Sequence, residues 1–142
     1  MTEVAFHFNA PDKLAYACRL LRKAQLGRAQ VVVTADDAVL RRLDQQLWTF
    51  SALDFVPHCM ADSPAAMLQA TPIVLAADPE QAPHHQVLVN LGDAVPQGFE
   101  RFQRLIEVVG NDDDDRAGAR VCWRHYAAHG FAIVRHDLEL KE

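Results

Sequence analysis

Gln30-Val31-Val32-Val33-Thr34 is an uninterrupted β-branched run, and its reading decides the architecture. Side chains branched at Cβ suit the pleated surface of a strand, and a run without polar alternation suits a strand covered on both faces, as in a parallel sheet clothed by helices. Upstream, Leu14, Cys18 and Leu21 recur at helical spacing beside Ala17, Leu20 and Ala24. Asn9-Ala10-Pro11-Asp12 offers that helix an N-cap and an early proline, and Gly27 its end. Before it, Val4-Ala5-Phe6-His7-Phe8 alternates at period two, as a strand does. The opening therefore reads as a parallel strand-helix-strand unit.

Downstream, a second helix is expected from about Asp36 to Trp48, capped by Thr34 or the two aspartates, with Val39, Leu43 and Leu47 inward. The pattern breaks from Phe50 to Pro57. Residues 72–76 and 87–91 read as two more buried strands, separated by a proline-bearing loop over 78–86. After Gly98, the spacing of Phe99, Phe102, Ile106 and Val109 predicts a helix. A final helix follows Asn111 to Asp115, whose aspartates complement its positive end, and stops at Gly130. Phe131 to Val134 reads as a short last strand, leaving a charged tail expected to fray. Strands alternating with helices imply an α/β, three-layer, Rossmann-like domain with a mostly parallel sheet. No repeat or linker divides the chain, so residues 1–142 are expected to form a single domain.

At 142 residues, half of them hydrophobic and 23% charged, the chain has the composition of a globular interior rather than of disorder. No apolar run approaches the roughly eighteen residues of a membrane span, and the N-terminus lacks a basic-then-apolar leader, so a soluble, cytoplasmic protein with no membrane partner is expected. Cys18, Cys59 and Cys122 form no CxxC pair and read as reduced structural residues. The net charge of -5 opposes strong direct binding to nucleic acid, because phosphates reward an excess of Lys and Arg.

Catalytic signatures are scarce. In such a fold a nucleotide's phosphates sit at the first strand-helix turn, cradled by glycines, but Phe8-Asn9-Ala10-Pro11-Asp12 contains no glycine and ends in an acid. A Walker motif is absent too. His84 and His85 are adjacent in a loop and cannot both face one ion from a helical face. His125 and His129, at i and i+4 on the last helix, are a ligand-compatible pair without an evident third ligand. His58 and Cys59 are neighbours in an extended segment, so they point oppositely and form no dyad. No catalytic, metal or cofactor residue is assigned.

A positive patch stands out instead. Residues 116–136 contain Arg116, Arg120, Arg124 and Arg135 and no Asp or Glu, although the chain is acidic. Arg120, Trp123, Arg124 and Ala127 fall at i, i+3, i+4 and i+7, which puts two guanidiniums and an indole on one helical face, with Val121, His125 and Ala128 on another. Arginines grip carboxylates bidentately, and a Trp beside them can receive an apolar ring.

The block Leu47-Trp48-Thr49-Phe50-Ser51-Ala52-Leu53-Asp54-Phe55-Val56-Pro57-His58 resembles the Leu-Trp, spacer, Phe-Val-Pro-His signature of the chi subunit family of bacterial DNA polymerase III. The Val31-Val32-Val33 strand and the C-terminal Arg120, Trp123, Arg124, Tyr126, Gly130 and Phe131 follow that family in order and spacing. The resemblance implies a Rossmann-like fold without nucleotide or enzymatic step, in an adaptor that binds the psi subunit of the clamp-loader assembly on one surface. On another it binds the acidic, Phe-containing C-terminal tail of single-stranded-DNA-binding protein, so DNA is met only indirectly.

By matching position, the resemblance assigns tail binding to Val109, Arg120, Trp123 and Arg124, with Gly130 and Phe131 shaping the pocket floor, and psi binding to Trp48 and Phe55 with Phe50 and Val56 as neighbours. Trp123 and Arg124 stand where other members carry Tyr and Lys, which keeps an aromatic and a cation but replaces a point charge by a fork. The run Asn111 to Asp115 departs from the family pattern. The expected state is a monomer alone and a heterodimer with psi. Two other readings compete: a small-ligand protein or enzyme on a Rossmann-like scaffold, against which the glycine-free turn speaks, and a direct single-strand binder using the Arg-Trp face, against which the net charge speaks.

Overall fold

A computed structural model describes residues 1–50 and 55–140. The element order is β1 (Glu3–Ala10), α1 (Lys13–Leu26), β2 (Val31–Thr34), α2 (Asp37–Thr49), β3 (His58–Met60), α3 (Ala65–Ala70), β4 (Ile73–Leu75), β5 (Val87–Asn90), β6 (Arg104–Gly110), α4 (Asp113–Ala128) and β7 (Ile133–Asp137). Among the described residues the strands form one seven-stranded sheet in the order β3-β4-β2-β5-β6-β1-β7. Every pairing is parallel. The Val31–Thr34 run lies between β4 and β5, and all four of its residues are buried.

Each long helix starts on an aspartate whose carboxylate takes an otherwise orphaned backbone N–H. Asp12 accepts from Ala15, Asp36 from Val39 and Asp112 from Asp115. Pro11 therefore precedes the cap of α1 and is not its first helical residue. Val39 is only half-buried, and Leu40 joins Leu43 and Leu47 on the inner face of α2. Helices α1 and α2 bury their apolar faces on one side of the sheet, against Val31, Val33, Leu75 and Val89. On the other side, Cys122 and Tyr126 of α4 pack with Phe99, Phe102, Val32 and Leu88.

The helix expected after Gly98 is a strand. Phe99–Arg101 makes one 3-10 turn, and Arg104–Gly110 becomes β6, inserted between β5 and β1. Ile106 and Val109, expected on one helical face, lie in opposite cores. The physical reason is Glu107: a charged residue inside Leu105-Ile106-Glu107-Val108-Val109 imitates the wet side of a helix, yet it is 2% exposed and held by buried partners. The segment from Phe50 to Pro57, read as a break, contains 51–54, which lie outside the described residues, as do 141 and 142 of the tail. Beyond that break the chain adds β3 and α3, elements too short to leave a periodic signal.

From β1 the chain moves to β2 and β3 across the α1/α2 face, and it returns toward β6 and β7 across the other. Adjacent strands β1 and β6 thus send their connections to opposite faces. That divergence opens a crevice at their carboxyl ends, the place where open α/β sheets receive ligands.

Candidate functional site

A cleft of about 480 Å³ occupies this crevice. Its apolar ground comes from Phe6 and Phe8 of β1 and Val109 of β6, and its helical wall from Arg116, Arg120 and Trp123 of α4. Arg135 of β7 supplies the opposite wall. Register explains the meeting of distant residues: Phe6 pairs with Arg135 across β1–β7, and both side chains turn to the α4 side. Trp123 is half-buried, its ring 5.1 Å from that of Phe6, so one part packs while another faces the cleft.

Asn9 gives the cleft its corner. It adopts φ +64°, a left-handed conformation that Asn tolerates better than most residues, at an irregularity in the β1–β6 register. Its Nδ2 donates to Asp137 Oδ1 at 2.9 Å, and its Oδ1 accepts from Arg116 Nη2 at 3.3 Å, which holds that guanidinium at the rim. Of the acidic run, Asp112 is engaged in capping, and Asp115 accepts from Lys13 Nζ at 3.0 Å and from the Gly110 N–H at 2.6 Å. Neither aspartate lines the cleft, whose helical wall carries Arg116 and Arg120.

The structure brings Val109, Arg120 and Trp123 together in the cleft. Arg124 is exposed on α4 outside the lining. Gly130, at φ +80°, makes the turn from α4 into β7, a conformation that strains any residue with a Cβ. Phe131 is half-buried, with its ring 5.2 Å from Phe99, and belongs to the packing beneath the C-terminal end of α4. Sequence reasoning omitted Phe8, Asn9, Arg116 and Arg135 from the site. Arg116 was findable, one turn before Arg120; the others come to the cleft through strand pairing and a left-handed residue, which carry no local signal.

Below the cleft, α4 is fixed by a buried polar cluster. Tyr126 donates to Glu107 Oε2, and Asn90 Nδ2 donates to both carboxylate oxygens at 3.0 and 3.1 Å and to the carbonyl of Ala94 at 2.9 Å. Burial pushes the Glu107 carboxyl up to about 7, although the donors from Tyr126 and Asn90 oppose it. The Tyr126 phenol is raised as well, first by burial and then by the neighbouring carboxylate.

A second surface lies at the opposite end of the sheet. Trp48 is 60% and Phe55 49% exposed, and their rings stand 4.9 Å apart. His58 supports them from below: its ring is 5.5 Å from Trp48, with Nε2 at 2.8 Å from Asp44 Oδ1 and Nδ1 at 2.7 Å from the Val56 carbonyl. Val56 is fully buried, and Phe50 is half-buried against the same core.

The remaining reactive side chains are placed structurally. Cys59 faces the core on the α4 side, while His58 pairs with Asp44 of α2 on the other, so thiol and imidazole diverge. All three cysteines are free and buried, and burial holds the Cys18 thiol at about 11 and Cys122 at about 12. His125 and His129 stack at 4.2 Å, and His129 Nδ1 bonds the His125 carbonyl. Among the described residues no group of three or more His, Cys, Asp or Glu is arranged to hold a metal, and no helix is long and apolar enough to cross a membrane.

The DNA polymerase III subunit chi of Pseudomonas aeruginosa is 32% identical over 143 residues, spanning 97% of this chain and 98% of that protein. The family described as DNA polymerase III chi subunit, HolC, matches residues 1–134. With nearly the whole length of the fold covered in this way, the chain belongs to the DNA polymerase III chi subunit family.

Proposed function

We propose that this protein is a non-catalytic accessory subunit of the DNA polymerase III holoenzyme. It joins the clamp-loader complex, through psi, to the C-terminal tail of single-stranded-DNA-binding protein during replication. The observation that carries the reading is the cleft: Arg116, Arg120 and Arg135 surround Phe6, Phe8 and Trp123 in a chain whose net charge is -5. Exposed guanidiniums beside an apolar, aromatic ground match a peptide that combines carboxylates with a Phe ring, because each part of the peptide finds its complement. Val109, Arg120 and Trp123 make the contact inside the cleft, Arg124 extends the positive field along α4, and Gly130 and Phe131 shape the support behind it.

The Trp48–Phe55 pair is the psi surface. Large aromatic rings left in water beside one another are the kind of anchor that dominates an interface, and the buried Val56 and half-buried Phe50 tie the flanking chain to the core. The protein acts as a cytoplasmic monomer or as a heterodimer with psi, meets DNA only through its partners, and needs no cofactor. Capture of this chain by full-length single-stranded-DNA-binding protein, and its loss with the tail-truncated form, tests the reading. Equal capture by both forms rejects the tail site.

A further inference from the structure

Arg135 approaches the cleft from the sheet edge, facing the helical cations across it. Its guanidinium carbon lies 5.4 Å from the Phe8 ring centroid and 5.8 Å from that of Trp123. A guanidinium over aromatic faces sheds water from its own faces, while its N–H edge stays available to acceptors in its plane. Arg135 is exposed and has no carboxylate partner among the described residues. Asp137, the nearest acid along β7, is already taken by Asn9 Nδ2 and by the backbone N–H of Glu139.

We propose that Arg135 is a further specificity-determining residue of the cleft. It grips a carboxylate of the acidic tail from β7 while Arg120 grips another from α4, with Phe8 and Trp123 acting as the platform that orients its fork. The inference rests on the cleft being the tail site, and it adds a requirement: the ligand presents carboxylates to both walls with its ring between them. A single-walled site on α4 imposes no such spacing.

The test is titration calorimetry of the full chain with a synthetic acidic, Phe-containing tail peptide of single-stranded-DNA-binding protein. Arg120→Ala reports on the tail site itself. Arg135→Ala should raise Kd about tenfold or more, as loss of a charge-assisted bond does, and flatten its salt dependence. Arg135→Lys should recover only part of the loss. Phe8→Leu should weaken the wild type and cost less in the Arg135→Ala background, because its part in orienting the guanidinium is lost there while its part in the apolar ground remains. Unchanged affinity in Arg135→Ala alongside weakened Arg120→Ala overturns the two-walled grip and leaves the tail site standing. Unchanged affinity in both removes the tail site as well. If Arg135→Ala loses its native circular dichroism, Arg135→Lys decides, and wild-type affinity there overturns the forked grip.

Discussion

The Tyr126 hydroxyl donates a 2.5 Å hydrogen bond to Glu107 Oε2, joining the inner face of α4 to the interior strand β6. Tyr126 follows Trp123 by three residues, so this bond sets the rotation of the helix that presents Arg120 and Trp123 to the cleft. Among the described residues no Lys or Arg bonds the carboxylate. The nearest cation, Lys13, is committed to Asp115 at 3.0 Å.

Stability should fall with pH in a window set by this acid. The native carboxyl titrates at about 7 against an ordinary 4.5, so the folded state holds the proton more tightly than the unfolded one. The contribution is full below about 4.5, declines as pH rises through the interval, and is gone above about 7; its total is on the order of 3 kcal/mol. Glu107→Gln has no proton to lose there. Urea midpoints of both proteins at several pH values between 4.5 and 7.5 should diverge along this window, and parallel curves would reject the assignment.

Removing the phenol oxygen should act with the opposite emphasis. Tyr126 donates to the charged form of Glu107, so Tyr126→Phe harms that form most. The variant should lose about 1–3 kcal/mol at pH 8 and less at pH 5. Equal losses at both pH values would show that the bond does not favour the charged form.

Nucleotides and zinc should leave the thermal midpoint unchanged. The end of β1 that leads into α1 carries Asn9 at φ +64° where a phosphate loop has glycines, and the N-terminus of α1 is occupied by the Asp12 carboxylate. A saturable rise in midpoint with ATP, NAD or zinc would contradict the adaptor reading.

How legible this was in the sequence varied with the range of the determining forces. The strand at Val31–Thr34 and the aspartate-started helices were readable because their causes are local: β-branching, helical spacing and a cap. β6 was not, because Glu107 is tolerated at the centre of a strand only through Asn90 on β5 and Tyr126 on α4, seventeen and nineteen residues away. The helical half of the cleft was visible as an i, i+3 pattern of Arg120 and Trp123. Its sheet half was invisible, since Phe8 and Arg135 are 127 positions apart in sequence and meet only through the parallel pairing of β1 and β7.

Trp48 and Phe55 should matter to a partner and little to the fold. Both rings keep roughly half or more of their surface in water, so truncation removes modest packing. Trp48→Ala and Phe55→Ala should each change stability by less than about 1 kcal/mol while abolishing co-elution with psi. Retained co-elution of the folded double variant would place the psi contact elsewhere.

Within the helical wall, the three residues named from spacing should differ in weight. Arg120 and Trp123 line the cleft, whereas Arg124 points outside it. Arg120→Ala should weaken binding of the tail peptide by about 1.5–3 kcal/mol, and Trp123→Ala by a comparable amount through lost apolar contact. Arg124→Ala should cost less, because an exposed charge acting at a distance is screened over roughly 8–10 Å at ordinary ionic strength. Salt separates the two kinds of contribution: raising it should shrink the Arg124 effect toward zero while leaving most of the Trp123 effect, which depends on a buried ring face and not on charge. Calorimetry of the three variants at low and high salt measures both. A loss in Arg124→Ala as large as in Arg120→Ala, persisting at high salt, would move the centre of the tail site out of the cleft and onto the outer face of α4.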